Sequence, residues 1–354
     1  MSYELFYTEN VVPKLFNINY CKKKKFVTDG FAAHIFKETT MKKIPVLLFL
    51  IAAAIGASAQ KAVEKNKKNS KEKTGAVVLE NTLLWQITGN HLTKPSYLFG
   101  TMHLLCAEDA QLSDSLRFVI ANVKQVYFEI NLGNMMEIAG AMRFMNMNNN
   151  TKLSDLLTED EYKRIADYFK KNKIMLPLSM MERFKPYFIT SLISESKFPC
   201  EEKDGMEQVI MKEAKKDSKP TNGLETVEFQ ASVFDSIPYK RQAKDLLKMI
   251  DSSGTTADSS DIQLVEVYRK QDLNKMQEMT ADEEGMSEYL DLLLYNRNAN
   301  WVKKMPAIMK DAPALFAVGA GHLGGEKGVI HLLREAGFTL RPMKHKPGAE
   351  MLSN

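Results

Sequence analysis

The chain has 354 residues, 44% hydrophobic and 26% charged, with 48 basic against 44 acidic side chains and three cysteines. That composition suits a globular protein of one large or two small domains. The slight basic excess lies in residues 1–59, which hold eight basic and four acidic side chains, and nothing from Thr74 onward has the basic stripe of a nucleic-acid binder.

The first recognisable element is "MKKIPVLLFLIAAAIGASAQ", which starts at Met41. Two lysines lead into an apolar run from Ile44 to Ile55, and Ala57-Ser58-Ala59 precedes Gln60. This is the three-part layout of a secretory signal peptide over residues 41–59. The run is shorter than the roughly 20 residues of a spanning helix. The alternative is an uncleaved anchor, which would be the chain's only membrane association. Residues 1–40 then read as upstream sequence, with Met41 the expected start. Residues 60–74 are lysine-rich and polar and read as a flexible linker, with one folded domain over 75–354. The expected location is periplasmic or secreted. In such an oxidising compartment Cys106 and Cys200 are either paired or two buried thiols.

Val77–Ile87 and Pro95–Gly100 are β-branched and aromatic, separated by the turn-rich "TGNHLTKP", and predict a hairpin. Leu112–Lys124 has helical periodicity, and Gln125–Asn131 reads as a short buried strand. The Met-rich stretch Met135–Met147 reads as a soft apolar helix that fills core, with a lid or partner surface as the alternative. Thr158-x-x-Glu161 is a capping box opening a helix. Further amphipathic helices follow, with a short strand in "KPTNGLET" (219–226). Residues 314–343 read strand, Gly-rich turn, helix, strand, with Gly337 ending the helix.

Two segments share a pattern. "YLFGTMHLL" (Tyr97–Leu105) and "LFAVGAGHLGG" (Leu315–Gly325) each end an apolar run with Gly-x-x-His. Glycine lets the backbone turn sharply or approach a ligand, and a histidine just past a buried strand stands where loops build sites. His103 and His322 converge if their strands are neighbours. Neutral imidazole is a common metal ligand, and with a carboxylate it suits a divalent transition metal. Glu129 lies inside a buried run, where a carboxylate is costly unless paired or metal-bound. Glu225 follows Gly-Leu at a strand end. Glu207 and Glu326 open helices, where an acidic group is favourable in any case. Arg297 is either a carboxylate or oxyanion clamp or an ordinary surface ion pair. His91 lies in a turn, His331 is spaced for a helical pair with Glu335, and His345 is in the tail. Taken alone, these residues leave open both a metal site and two satisfied core or loop histidines. No nucleophile elbow, zinc-protease helix or phosphate-binding loop is present. The two similar segments suggest two pseudo-repeated halves.

"YLFGTMH", "VYFEI", "NGLET", "YNRNANW" and "FAVGAGHLGGEKGVIHLLREAGFTLRPM" occur in this order. Together they resemble the TraB/PrgY/GumN family, which includes the TIKI metalloproteases, over about Val78 to Met343. The resemblance implies an α+β fold, a central mixed sheet surrounded by helices, related to the erythromycin-esterase and ChaN-like folds. It implies a metal-dependent hydrolase acting on a peptide or protein. His103, His322 and Glu129 take the metal, a divalent cation such as manganese, cobalt or zinc. Glu225 becomes a fourth ligand or general base, and Arg297 a substrate or oxyanion contact. Gly100, Gly319 and Asn298 fall where substrate binds. The family often has Gly-x-Asp where this chain has Gly205-Met206-Glu207, which puts a direct role for Glu207 in doubt. The rival expectations are a non-catalytic binder of metal, haem or peptide in the same cleft, or an esterase-type hydrolase without metal.

Overall fold

Leu84–Gly89 (β1) and Ser96–Thr101 (β2) form the expected hairpin, with Leu84 beside Phe99 and Ile87 beside Ser96. Its turn uses left-handed backbone at Gly89, Asn90 and His91, which accounts for the polar residues there. The structure is a computed structural model that describes residues 78–131, 133, 140–172, 174, 176–252, 260–281 and 287–346. The leader, the linker and residues 134–139 of the Met-rich stretch lie outside them.

Among the described residues the central sheet has six strands, in the order Thr221–Gly223 (β6), Gln125–Phe128 (β4), Ala314–Gly319 (β7), β2, β1 and Phe338–Met343 (β8). β4, β6 and β7 join β2 as the parallel part, and β1 and β8 pair antiparallel at one side. The sequence explains the division. All six residues of β2 and all six of β7 are buried, as expected of interior parallel strands written as continuous apolar runs. In β8, Phe338 and Leu340 are buried while Thr339 and Arg341 are exposed, the alternation of an edge strand with one wet face.

A second, two-stranded sheet pairs Leu105–Cys106 (β3) with Lys203–Asp204 (β5). Cys106 and Cys200 are bonded at a sequence separation of 94, which resolves the choice between a disulfide and two thiols.

Eleven α-helices surround the sheets among the described residues: Asp114–Asn122 (α1), Leu153–Leu156 (α2), Glu159–Asn172 (α3), Pro186–Lys197 (α4), Met206–Lys216 (α5), Val227–Val233 (α6), Tyr239–Asp251 (α7), Ser260–Arg269 (α8), Leu273–Ala281 (α9), Asn296–Asp311 (α10) and Val329–Glu335 (α11). The capping box of α3 forms in both directions: Glu161 N donates to Thr158 Oγ1 at 3.3 Å, and Thr158 N to Glu161 Oε2 at 3.0 Å. Gly337, with φ +87°, follows the end of α11 as expected.

Among the described residues the buried apolar side chains form two main cores, with a minor third cluster of Ile130, Ala141 and Val227. The larger encloses the sheet, with Phe99, Phe128, Trp301 and Phe316 at its centre. The smaller joins α4 and α7 through Phe188, Ile193, Leu246 and Ile250. In the described end of the Met-rich stretch, Gly140 and Ala141 are α-helical and Met142–Met145 is a 3₁₀ turn. Met145 fills the smaller core, in keeping with the core-filling expectation. Lys185 is almost fully buried there and ties α4 to the end of α6 through Ala231 O and Asp235, each at 2.8 Å. His345 is no loose tail residue. It is buried against Phe99, with Nδ1 2.6 Å from Ser113 Oγ, the N-cap of α1. Among the described residues no helix is long and apolar enough to cross a membrane.

Candidate functional site

The two Gly-x-x-His strands are parallel neighbours, with Thr101 beside Gly319. Their histidines therefore leave the sheet at the same end. A β-carbon placed on Gly319 would lie 3.1 Å from Glu129 Oε1, 3.5 Å from His322 Cδ2 and 3.7 Å from His103 Nε2. Gly319 is the floor on which three of the expected residues converge, and any side chain there would crowd them. Gly100 has a different task. A β-carbon there would meet Ala320 at 3.1 Å and Leu323 at 3.2 Å, so this glycine admits the turn that carries His322.

Glu129 immediately follows β4 and is buried. Its oxygens divide. Oε1 accepts the Gly319 N–H at 2.9 Å and faces His322 Nε2 at 3.6 Å. Oε2 accepts from Arg297 at 2.6 Å and from Gln230 at 2.9 Å. Burial alone would favour the neutral acid, but Arg297, the two histidines and the Gly319 N–H outweigh it and hold the carboxyl well below the usual carboxylate range.

Glu225 lies beside Glu129 because its N–H donates to Glu129 O at 2.9 Å, continuing the pairing of β6 with β4. Arg297 Nε donates to its Oε1 at 3.0 Å and Trp301 Nε1 to its Oε2 at 3.0 Å, so both oxygens are engaged. Burial still leaves its carboxyl above the ordinary value, with Arg297 opposing. The helix cap in "NGLET" is Thr226, whose hydroxyl accepts from Phe229 N.

Arg297 comes from the first turn of α10. A π-helical turn, Asp291–Tyr295, precedes it, and π turns often mark functional positions. Here the Leu293 carbonyl accepts from Arg297 NH1 at 2.9 Å. Arg297 is buried between two carboxylates, which overturns the surface ion-pair alternative. Its NH1 also lies 3.4 Å from His322 Nε2. Trp301, one turn further on, packs against the His322 ring with centroids 4.5 Å apart and the ring planes tilted by 43°.

Each histidine is oriented by its other nitrogen. His322 Nδ1 lies 2.6 Å from Asn298 Oδ1, and the Asn298 amide nitrogen donates to Lys327 O at 2.9 Å and His322 O at 3.3 Å. Those carbonyls fix the amide, so Nδ1 carries the proton and Nε2 keeps the lone pair. Burial lowers the His322 pKa to about 3, leaving a neutral imidazole. Asn298 thus spends its polar atoms on the histidine and its turn. His103 Nδ1 lies 2.7 Å from Glu207 Oε1. Burial disfavours the His103 cation, but Glu207 outweighs it and raises the ring's pKa. Glu207 is itself almost fully buried.

These residues fit a divalent cation in kind: two imidazole nitrogens and one carboxylate oxygen share a buried floor. Buried Thr101 Oγ1 and Glu207 Oε2 have no protein hydrogen-bond partner among the described residues, so the neighbourhood carries polar capacity beyond its own bonds. The three donor atoms are not drawn within 4.8 Å of one another. Among the described residues that spacing occurs at Cys106, Glu108 and Asp109, where the disulfide removes the thiolate a metal needs. Glu326 is exposed on the loop before α11, and His331 makes its expected pair with Glu335 at 3.4 Å.

Sequence reasoning did not single out Gln230 or Trp301 and set Glu207 aside. Trp301 was within reach: residues 297 and 301 share one helical face. Gln230 and Glu207 act through contacts that no local spacing announces.

A family model described as the TraB/PrgY/gumN family matches residues 83–342. The chain is 22% identical to the metalloprotease TIKI2 of Danio rerio, over 76% of this chain and 62% of that protein. It is 23% identical to the metalloprotease TIKI1 of Homo sapiens, over 75% and 62%. It is also 23% identical to the metalloprotease TIKI homolog of Amphimedon queenslandica, over 74% and 61%. The chain thus spans somewhat over three fifths of these relatives. No solved structure matches it.

Proposed function

This chain belongs to the TraB/PrgY/gumN family, and on that premise we propose that it is an exported metal-dependent hydrolase acting on peptides. The observation that carries the reading is the convergence of His103, His322 and Glu129 above Gly319. Relatives named metalloproteases support it. The leader at 41–59 supports export, to the periplasm or outside the cell.

His103 Nε2, His322 Nε2 and Glu129 Oε1 would hold the cation, manganese, cobalt or zinc. Bound there, it would supply a Lewis acid for the scissile carbonyl and lower the pKa of a water. The protein's own part is positioning. Asn298 keeps His322 in the tautomer that presents Nε2. Arg297 and Gln230 hold one oxygen of Glu129 so that the other faces the histidines. The edge of Arg297, 3.4 Å from His322 Nε2, would stabilise negative charge developing on substrate. Glu225, with both oxygens engaged, anchors Arg297 in preference to serving as a free base.

That engagement also favours a second reading, a metal- or peptide-binding protein without turnover. Digestion of a peptide library by the purified protein, with each added metal and with chelator, separates the two. Chelator-sensitive cleavage supports the hydrolase; metal binding without cleavage supports the binder.

A further inference from the structure

Glu207 stands beside the candidate centre, and the chain delivers it by a specific route. After His103 the backbone runs into β3, which pairs with β5: Leu105 lies beside Asp204 and Cys106 beside Lys203. Ala107 N donates to Glu202 O at 3.0 Å, and Met206 N to Met102 O at 3.1 Å. The Cys106–Cys200 bond staples the far end of the same pair. Residues 102–107 and 200–206 are therefore zipped together on both sides of His103. Gly205 allows the closest approach: a β-carbon there would lie 2.5 Å from the His103 carbonyl oxygen. Glu207 follows in the first turn of α5, with Oε1 2.7 Å from His103 Nδ1 and both side chains buried.

A carboxylate only accepts hydrogen bonds, whereas each imidazole nitrogen either donates or accepts. With Glu207 as the acceptor, Nδ1 must carry the proton, and the neutral ring keeps its lone pair on Nε2. That nitrogen is the one over Gly319. His322 reaches the same state through a neutral partner, Asn298. We propose that Glu207 is the positioning residue of His103, fixing its tautomer and ring so that Nε2 is presented to the site, and that the disulfide-stapled β3–β5 pair holds it there. The consequence for metal rests on the metal-centre reading above; the tautomer does not.

An accepting carboxylate behind a ligating histidine commonly changes metal affinity by about 10–100-fold. The test compares wild type, Glu207→Gln and Glu207→Asp. Long-range ¹⁵N–¹H spectra of the His103 ring are taken on metal-free protein at alkaline pH, and manganese and cobalt binding is measured by calorimetry. Glutamine keeps the size and fold but can accept or donate, so it should admit the Nε2–H tautomer. The expected result is a single Nδ1–H tautomer in wild type, a mixture in Glu207→Gln, and its restoration in Glu207→Asp. Affinity should fall about 10–100-fold in Glu207→Gln and recover in Glu207→Asp. An Nε2–H ring in wild type, or an unchanged pure tautomer in Glu207→Gln, overturns the proposal. The spectra need no metal, so a wild type that binds none refutes the metal-centre reading while the tautomer still decides the role of Glu207.

Discussion

Glu225 and Glu129 lie side by side: the amide of Glu225 donates to the carbonyl of Glu129 at 2.9 Å, and Arg297 reaches both carboxylates. Two buried acids just past the ends of adjacent parallel strands would repel one another without a shared cation. Removing that cation leaves two charges uncompensated. Arg297→Met should therefore destabilise the fold by about 3–5 kcal/mol. Arg297→Lys keeps the charge but not the planar fork, and should fall between. Urea unfolding of the three proteins checks the order; an Arg297→Met variant as stable as wild type would remove the cluster from the fold's energetics.

Asn298 should matter for metal more than for substrate. In Asn298→Ala, His322 loses the acceptor that fixes Nδ1–H, and metal affinity should fall by roughly 10–100-fold. The side chain is buried among satisfied partners, so stability should drop by about 1–3 kcal/mol. Calorimetric titration and thermal melts read the two effects separately. Unchanged affinity would return Asn298 to a purely structural role.

The disulfide should stabilise both the fold and the histidine it lies beside. It closes a loop with a sequence separation of 94 residues, worth about 4.7 kcal/mol in the chain-entropy view. Cys106→Ser with Cys200→Ser should lower the unfolding midpoint and, through the loosened β3–β5 pair, speed amide exchange at residues 102–107. Exchange mass spectrometry on the reduced and oxidised protein tests this. Equal exchange at those residues would detach the disulfide from the site.

Acid should weaken the fold through His345. Burial lowers its pKa from 6.5 to about 4. Between those values the unfolded chain binds a proton that the folded chain refuses. Stability is thus fully present above 6.5 and is lost as pH falls toward 4, by up to roughly 3 kcal/mol at one pKa unit per 1.4 kcal/mol. His345→Gln should flatten that part of the profile. Urea midpoints measured across pH 4–7 for both proteins provide the check, and parallel profiles would contradict the assignment.

What the sequence made legible is what local pattern controls. The β1–β2 hairpin and the β7–α11–β8 unit are written as apolar runs broken by turn residues, and both form, although β1 starts only at Leu84 within the expected strand Val77–Ile87 and runs on to Gly89. The two Gly-x-x-His segments announced a site on one condition, that β2 and β7 be neighbours, and they are. Glu207 was discounted because a glutamate in a first helical turn needs no further explanation. Its contact with His103 depends on two strands of two residues each and a crosslink from a distant loop. Gln230 reaches Glu129 across 101 positions of sequence, a distance over which no periodicity speaks. Arg297 looked equally suited to a surface ion pair until the fold buried it between Glu129 and Glu225.

The central claim is that His103, His322 and Glu129 hold one divalent cation. Equilibrium binding of manganese, cobalt and zinc to wild type, His103→Ala, His322→Ala and Glu129→Ala tests it most directly, with circular dichroism confirming that each variant is folded. The account predicts one metal per chain in wild type and loss of binding in each folded variant. Losses that do not add would fit three ligands serving one centre. No metal in the wild type, or full occupancy in any of the three folded variants, would contradict it.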